Sequence, residues 1–323
     1  MEIVSLEGLV NHAAYWRKTL QQTDLADHLL YAGWHDDAEA KIERFLTRIK
    51  GRTGSGQIMM GCLGANDELD AFALYRPSEW DSRFFKVASG FLDCLWCRRR
   101  EDYSSFVPQL CQALGRMEQK FVAAKLPLNS WRRVQALEEA GARLVDSELI
   151  MTWDKFDSKP ISSGRPWTIR QADENDAAAL KELDIPFAHG RFFNDPRING
   201  AAAKELWQQA MVNSLKGLAH WVLLAEVERR PAGLVTIQKN QAAPGGPAEA
   251  NLFIVGAEKR WHGTGLMQDL MTAAIQIARR ECERVLVEVS LANRRALNFY
   301  FKAGFNRLLY GKTVLHLWLE QGH

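Results

Sequence analysis

The chain echoes itself at a fixed spacing. Ala303-Gly304 stands 163 residues after Ala140-Gly141, and the surroundings agree at both places. A helical apolar stretch precedes each pair (Val134 and Leu137; Leu297 and Tyr300), and a strand-like run follows each (Leu149 to Trp153; Val314 to Trp318). At about the same spacing, 221–226 and 232–239 match 58–63 and 69–76, each pair of segments reading as two strands joined by a turn. Self-similarity at one long period marks a duplicated unit, and 323 residues suffice for two domains of ordinary size. The expected organisation is two copies of one α/β unit, residues 1–155 and 165–323, with Asp154 to Pro166 as linker. A chance likeness between two α/β units is the alternative.

Composition narrows the class. Residues that are 47% hydrophobic and 25% charged can build substantial cores. Lys+Arg 41 against Asp+Glu 39 leaves +2, without the basic footprint that nucleic acid demands, so no nucleic-acid partner is expected. The N-terminus has no signal-peptide pattern and no long uncharged stretch occurs, which reads as a cytoplasmic protein with no membrane partner. Five cysteines form an odd, scattered set. Cys94-Leu-Trp-Cys97 has redox or half-zinc spacing but lacks a second pair, so buried core thiols and no metal are expected.

The second copy reads as a strand (167–170), helices with an intervening loop (175–217) and two strands (221–228, 232–239). A strand (250–255), a helix (265–280), a strand (284–289), a helix (294–303) and a final strand (312–319) follow. The insert Gln241 to Glu249, with Pro244-Gly245-Gly246-Pro247, reads as a long hairpin loop. Leu266, Leu270, Ala274 and Ile277 fall at helical spacing, so one face of the 265–280 helix must bury. This order is α+β with a mixed central sheet.

Two segments carry chemistry. Arg260-x-x-Gly263-x-Gly265 ends a strand and opens an amphipathic helix. Glycines there admit close backbone approach, and the N–H groups of a first helical turn hold anions, a diphosphate above all. Plain turn glycines are the competing reading. The phosphate-binding loop of nucleoside triphosphatases and the dinucleotide fingerprint are both missing. After the next strand comes Asn293-x-x-Ala296-x-x-x-Tyr300-x-x-x-Gly304-Phe305, a short helix closed by a glycine.

In this order and spacing the two segments resemble the GNAT superfamily of acyl-CoA-dependent N-acetyltransferases. The resemblance implies a GNAT fold, a mixed and mostly antiparallel sheet flanked by helices, with acetyl-CoA as acyl donor. It places the pantetheine arm along the strand of Phe253 and Val255, and the diphosphate on the amides of His262, Gly263, Thr264, Gly265 and Leu266 beside Arg260. Asn293 would contact the arm and Tyr300 would lie beside the sulfur, with the amine attacking the thioester directly. A thiol titrates near 8.5 and a phenol near 10, so proton donation from Tyr300 to a departing thiolate is uphill by about 1.5 pH units, about 2 kcal/mol. A half-buried tyrosine with a satisfied hydroxyl is the plain alternative. Glu249 is the candidate base; an exposed strand-end glutamate, with water or a carbonyl as acceptor, is the other reading.

The loop Phe187 to Pro196, with His189, Arg191 and Asn194, and the helix of Trp207 offer groups for a polar acceptor. With Trp80-Asp-Ser-Arg83-Phe84-Phe85 they resemble GNAT enzymes that acetylate nucleotide-linked 4-amino-6-deoxy sugars. That likeness runs from about residue 70 onward and leaves 1–56 uncovered; His189, Phe193 and the 244–247 loop depart from it. Another small-molecule or peptide amine, or a non-catalytic acyl-CoA-binding module, are the alternatives, and a homodimer stays open. In the first copy Arg100 and Asp102 replace the two glycines, Glu101 lies between them and Leu137 replaces Tyr300. Carboxylates at a helix start repel a diphosphate, so this copy is expected to be a degenerate, non-catalytic repeat.

Overall fold

The computed structural model describes residues 3–9, 12–29, 38–50, 57–64, 67–153, 164–240 and 248–319. In chain order the first half forms β1 (Val4–Ser5), α1 (Ala13–Gln22), α2 (Ala38–Lys50), β2 (Ile58–Leu63), β3 (Leu69–Pro77) and α3 (Glu79–Phe85). It continues with β4 (Ser89–Cys97), α4 (Tyr103–Arg116), β5 (Phe121–Pro127), α5 (Trp131–Glu139) and β6 (Arg143–Trp153). The second half forms β7 (Trp167–Gln171), α6 (Ala177–Glu182), α7 (Arg191–Asn194), α8 (Gly200–Asn213), β8 (Trp221–Val227) and β9 (Arg230–Asn240). Then come β10 (Glu249–Ala257), α9 (Leu266–Ala278), β11 (Arg284–Ser290), α10 (Arg294–Lys302) and β12 (Arg307–Trp318).

Two compact units result, Met1–Ser147 with Lys312–His323, and Glu148–Gly311. These boundaries differ from the expected 1–155 and 165–323. The cause is β-pairing across long stretches of chain: Phe121–Pro127 of β5 pairs antiparallel with Lys312–Trp318 of β12, and Glu148–Trp153 of β6 pairs antiparallel with Val285–Ser290 of β11. Each half therefore lends its last strand to the unit built mainly by the other half. The linker expected at 154–166 lies mostly outside the described residues, as does the Pro244–Pro247 loop.

Within each unit the ladder is the same. The first runs β1-β2-β3-β4-β5-β12 and the second β7-β8-β9-β10-β11-β6. Only β4 with β5 and β10 with β11 are parallel; the other described pairs are antiparallel. The duplication is visible element by element: β2, α4, β5 and α5 start 163 residues before β8, α9, β11 and α10. The described part of 1–56 thus contributes the opening strand and the helices α1 and α2 of the first copy, and Trp16 and Phe45 bury against Phe72 at 5.5 and 5.6 Å.

Apolar periodicity accounts for the second unit's core. Leu266, Leu270 and Ala274 of α9 are fully buried against β8, β9 and β10 through Leu223, Val235 and Leu252. Burial of each such leucine stabilises the fold by about 1.5–3 kcal/mol. The partly buried Ile277 packs at the edge of the same cluster. Cys94 and Cys97 are buried in the first unit, and burial pushes both thiols up, which leaves them unreactive as core residues.

Candidate functional site

A gap in the second unit's sheet organises the site. β10 and β11 pair only over Glu249–Leu252 with Arg284–Val287; beyond that β10 keeps β9 as partner and loses β11. A register shift in β10 between Leu252 and Ile254 marks a bulge that makes Phe253 the extra residue. The Ile254 N–H donates to the Thr236 hydroxyl at 3.0 Å, so this fully buried threonine repairs the ladder where the bulge breaks it. Nothing in the spacing of the sequence marked Thr236. Phe253 and Val255, expected beside the pantetheine arm, both lie on β10 past the end of the parallel pairing. Trp207 of α8 meets the Phe253 ring at 6.0 Å and stacks on Phe187 at 5.5 Å, so part of the acceptor loop joins this wall.

The glycine loop follows β10 directly. Gly263 and Gly265 adopt φ of +82° and +99°, which cost an L-residue with a side chain about 1–2 kcal/mol. A Cβ at Gly263 would meet nothing within 4 Å, so the backbone there faces open space. The expected run of five free amides narrows. His262 N–H donates to the Lys259 carbonyl at 3.2 Å, Thr264 N–H to the Trp261 carbonyl at 3.4 Å, and Leu266 N–H to the Thr264 hydroxyl at 3.4 Å. Gly263 and Gly265 keep N–H groups without an acceptor among the described residues, ahead of the first turn of α9. Leu266 is otherwise a core residue with its side chain fully buried.

Side chains around the loop are basic. His262 Nε2 lies 3.0 Å from the Ala257 carbonyl, which fixes the proton on Nε2 and leaves Nδ1 buried without a partner among the described residues. Arg260 is 64% exposed, and its Nε donates to Glu258 at 2.6 Å. Arg165, on the stretch read from the sequence as linker, was not foreseen. Its guanidinium lies 3.3 Å from the position a Cβ would take on Gly265.

The helix after β11, α10, carries the expected tyrosine. Asn293 caps the helix, its Oδ1 accepting from the Ala296 N–H at 3.0 Å, so only its amide NH₂ remains for the arm contact that the resemblance implied. Tyr300 is 6% exposed, with Phe305 at 5.7 Å and Phe299 at 5.6 Å, and its hydroxyl has no hydrogen-bond partner among the described residues. Desolvation by burial raises its pKa well above the ordinary phenol value. Tyr300 is thus more deeply buried than a half-buried helix residue, and desolvation sets its phenol apart from the ordinary one taken from sequence.

Glu249, the candidate base, is engaged in an ion pair. It opens β10 at the paired end, four residues or about 13 Å along the strand from Phe253, and its carboxylate accepts from Arg284 at 2.8 Å. His189 and Asn194 are exposed, and Arg191 lies over the neighbouring Phe192 ring at 3.8 Å. Trp80 and Phe84 pack together at 4.9 Å on α3 of the first unit, where Phe84 is buried.

A parallel strand pair splayed by a bulge, with a glycine loop and helix start at the open end, is the GNAT fold, and the chain builds that ladder twice. Residues 189–305 match the acetyltransferase (GNAT) family. No curated protein matches the chain. Among solved structures it is similar to a tandem GNAT protein from the clavulanic acid biosynthesis pathway, in a form without AcCoA, at 12% identity and TM-score 0.61, covering 100% of this chain and 99% of that one. It is similar also to a GCN5-related N-acetyltransferase from Sphaerobacter thermophilus, at 16% identity and TM-score 0.63, covering 99% and 97%. A functionally unknown conserved protein from Staphylococcus epidermidis aligns at 13% identity and TM-score 0.51, over 79% and 93%.

Proposed function

We propose that the chain is an acetyl-CoA-dependent N-acetyltransferase whose chemistry resides in unit Glu148–Gly311, the first unit being a non-catalytic repeat. The observation that carries this reading is the pair of unengaged amides at Gly263 and Gly265 beside the open edge of β10. Acetyl-CoA is a substrate here, supplying the activated acyl group. The chain's residues bind and orient it: the loop amides and Arg260 take the diphosphate, and the β11-side edge of β10 at Phe253 and Val255 offers backbone groups to the amide-bearing arm.

In the reaction the acceptor nitrogen bonds to the acetyl carbon, the carbon–sulfur bond breaks, and sulfur takes a proton. Tyr300 holds that proton. Its raised pKa keeps the hydroxyl protonated at neutral pH, as an acid requires. The same desolvation raises the thiolate's conjugate acid, so the two anions stay matched to within a few pH units. With Glu249 paired to Arg284, the amine's own proton leaves through water or a backbone carbonyl.

The acceptor is a small-molecule amine. A nucleotide-linked 4-amino-6-deoxy sugar is the substrate we assign, on the likeness of the 80–85 and 187–196 segments to dTDP-fucosamine N-acetyltransferase, with His189, Arg191 and Asn194 as its binding residues. Cytoplasmic residence fits such an acceptor. Among the described residues no helix is long and apolar enough to cross a membrane. Turnover with labelled acetyl-CoA across amino sugars, peptides, polyamines and aminoglycosides tests the assignment. Amino sugar turnover is expected; turnover on peptides or antibiotics alone overturns the sugar, and binding without turnover on any amine overturns catalysis.

A further inference from the structure

The start of α9 carries a cation that helix electrostatics alone disfavours. Arg165 precedes β7, is 40% exposed, and reaches across to the Gly265 turn, its Nη2, Cζ and Nη1 lying 3.3, 3.6 and 3.8 Å from the position of a Cβ on that residue. Only a glycine leaves that room. Two neighbours hold the guanidinium in place. The Trp167 ring centroid is 5.3 Å from Cζ, and the Asp269 carboxylate is 3.7 Å from Nε, too long for a hydrogen bond. Asp269 is itself buried and accepts from the Trp167 indole N–H at 3.1 Å, so arginine, tryptophan and aspartate brace one another.

None of the guanidinium's five N–H donors has a hydrogen-bond acceptor among the described residues. A positive group at the N-terminal end of a helix dipole is repelled, and Arg260 and Lys259 stand on the same loop. Asp269, with a side chain only 9% exposed, is the single carboxylate paired to Arg165 among the described residues. The arrangement is a braced, donor-rich fork beside two unengaged amides.

We propose that Arg165 is a binding residue for the diphosphate of the acyl-CoA substrate, its fork meeting the anion beside the Gly265 turn. The inference rests on the thioester reading above. It makes the short segment before β7, which sequence alone assigned to a linker, part of the donor site.

Titration calorimetry of the full chain with acetyl-CoA and with 3′-dephospho-acetyl-CoA tests it, on the unmodified protein, Arg165→Gln and Arg165→Lys. Loss of a charge-assisted, forked contact predicts about tenfold weaker binding of both ligands by Arg165→Gln and a smaller loss for Arg165→Lys. Binding by the unmodified protein should weaken with added salt more steeply than binding by Arg165→Gln. Asp269 keeps the Trp167 indole bond in both variants, so their thermal unfolding should stay within a few degrees of the unmodified protein. Equal affinity in all three proteins overturns the role of Arg165 and leaves the thioester reading standing. A loss seen with acetyl-CoA but not with the dephospho form overturns the diphosphate in favour of the 3′-phosphate. Failure of the unmodified protein to bind either ligand overturns the thioester reading and this inference together.

Discussion

The same gap opens in both sheets, and side chains decide what it becomes. In the first unit β4 and β5 part after Leu92 with Ala124, as β10 and β11 part after Leu252 with Val287. The next residue in the second unit is Phe253, at a bulge facing rings. In the first it is Asp93, its side chain wholly buried and gripped by Arg48 at 2.6 Å and Arg76 at 3.0 Å. Where Gly263 and Gly265 turn left-handed ahead of α9, Arg100 to Asp102 form a short 3-10 turn ahead of α4, with Glu101 and Asp102 in its first turn. Leu137, 2% exposed, stands where Tyr300 does. One backbone plan thus yields a glycine loop with two unengaged amides in one unit, and an acidic helix start with an internal ion cluster in the other.

Tyr300→Phe breaks the comparison most directly. It should lower kcat about a hundredfold or more and leave acetyl-CoA affinity within twofold, because the hydroxyl is needed only as sulfur departs. The reciprocal Leu137→Tyr should produce no activity in a Tyr300→Phe background. Raising the tyrosine's pKa also sets a sign: the acid form persists above the ordinary phenol pKa near 10, so the alkaline fall in kcat should lie above that value.

Asp93→Ala attacks the other unit. It strands Arg48 and Arg76, each with a side chain 25% exposed, and should cost about 2–3 kcal/mol in chemical unfolding while steady-state acetylation stays unchanged in what remains folded. A loss of acetyl-CoA binding in this variant would contradict the division of labour.

Gly265→Ala should weaken acetyl-CoA binding about five- to tenfold, since a Cβ strains a φ of +99° and crowds Arg165. Smallest is Glu249→Gln. Breaking a partly exposed pair with Arg284 should change stability by at most about 1 kcal/mol and kcat by less than twofold.

Much of this was legible in the sequence because it is written locally. The glycines at 263 and 265, the period of α9 and the paired strands at 58–76 and 221–240 all declare themselves within about twenty residues. The destinations of β6 and β12 do not. Val285 meets Trp153 across more than a hundred residues, and no local pattern states which sheet a terminal strand will join. Arg165 was hidden for a related reason, lying in a segment whose composition reads as linker while its side chain finds α9 through the fold. Glu249 and Asn293 show what residue type and position leave unsaid. Each stands at a suggestive position, and each also serves the fold, one paired to Arg284 and the other capping α10.

The stoichiometry of acetyl-CoA binding to the intact chain, read by titration calorimetry, tests the division between the units most directly. One site per chain, with affinity lowered by Gly265→Ala and untouched by Leu137→Tyr, is the expected result. Two equivalent sites, or a single site indifferent to Gly265, would contradict it.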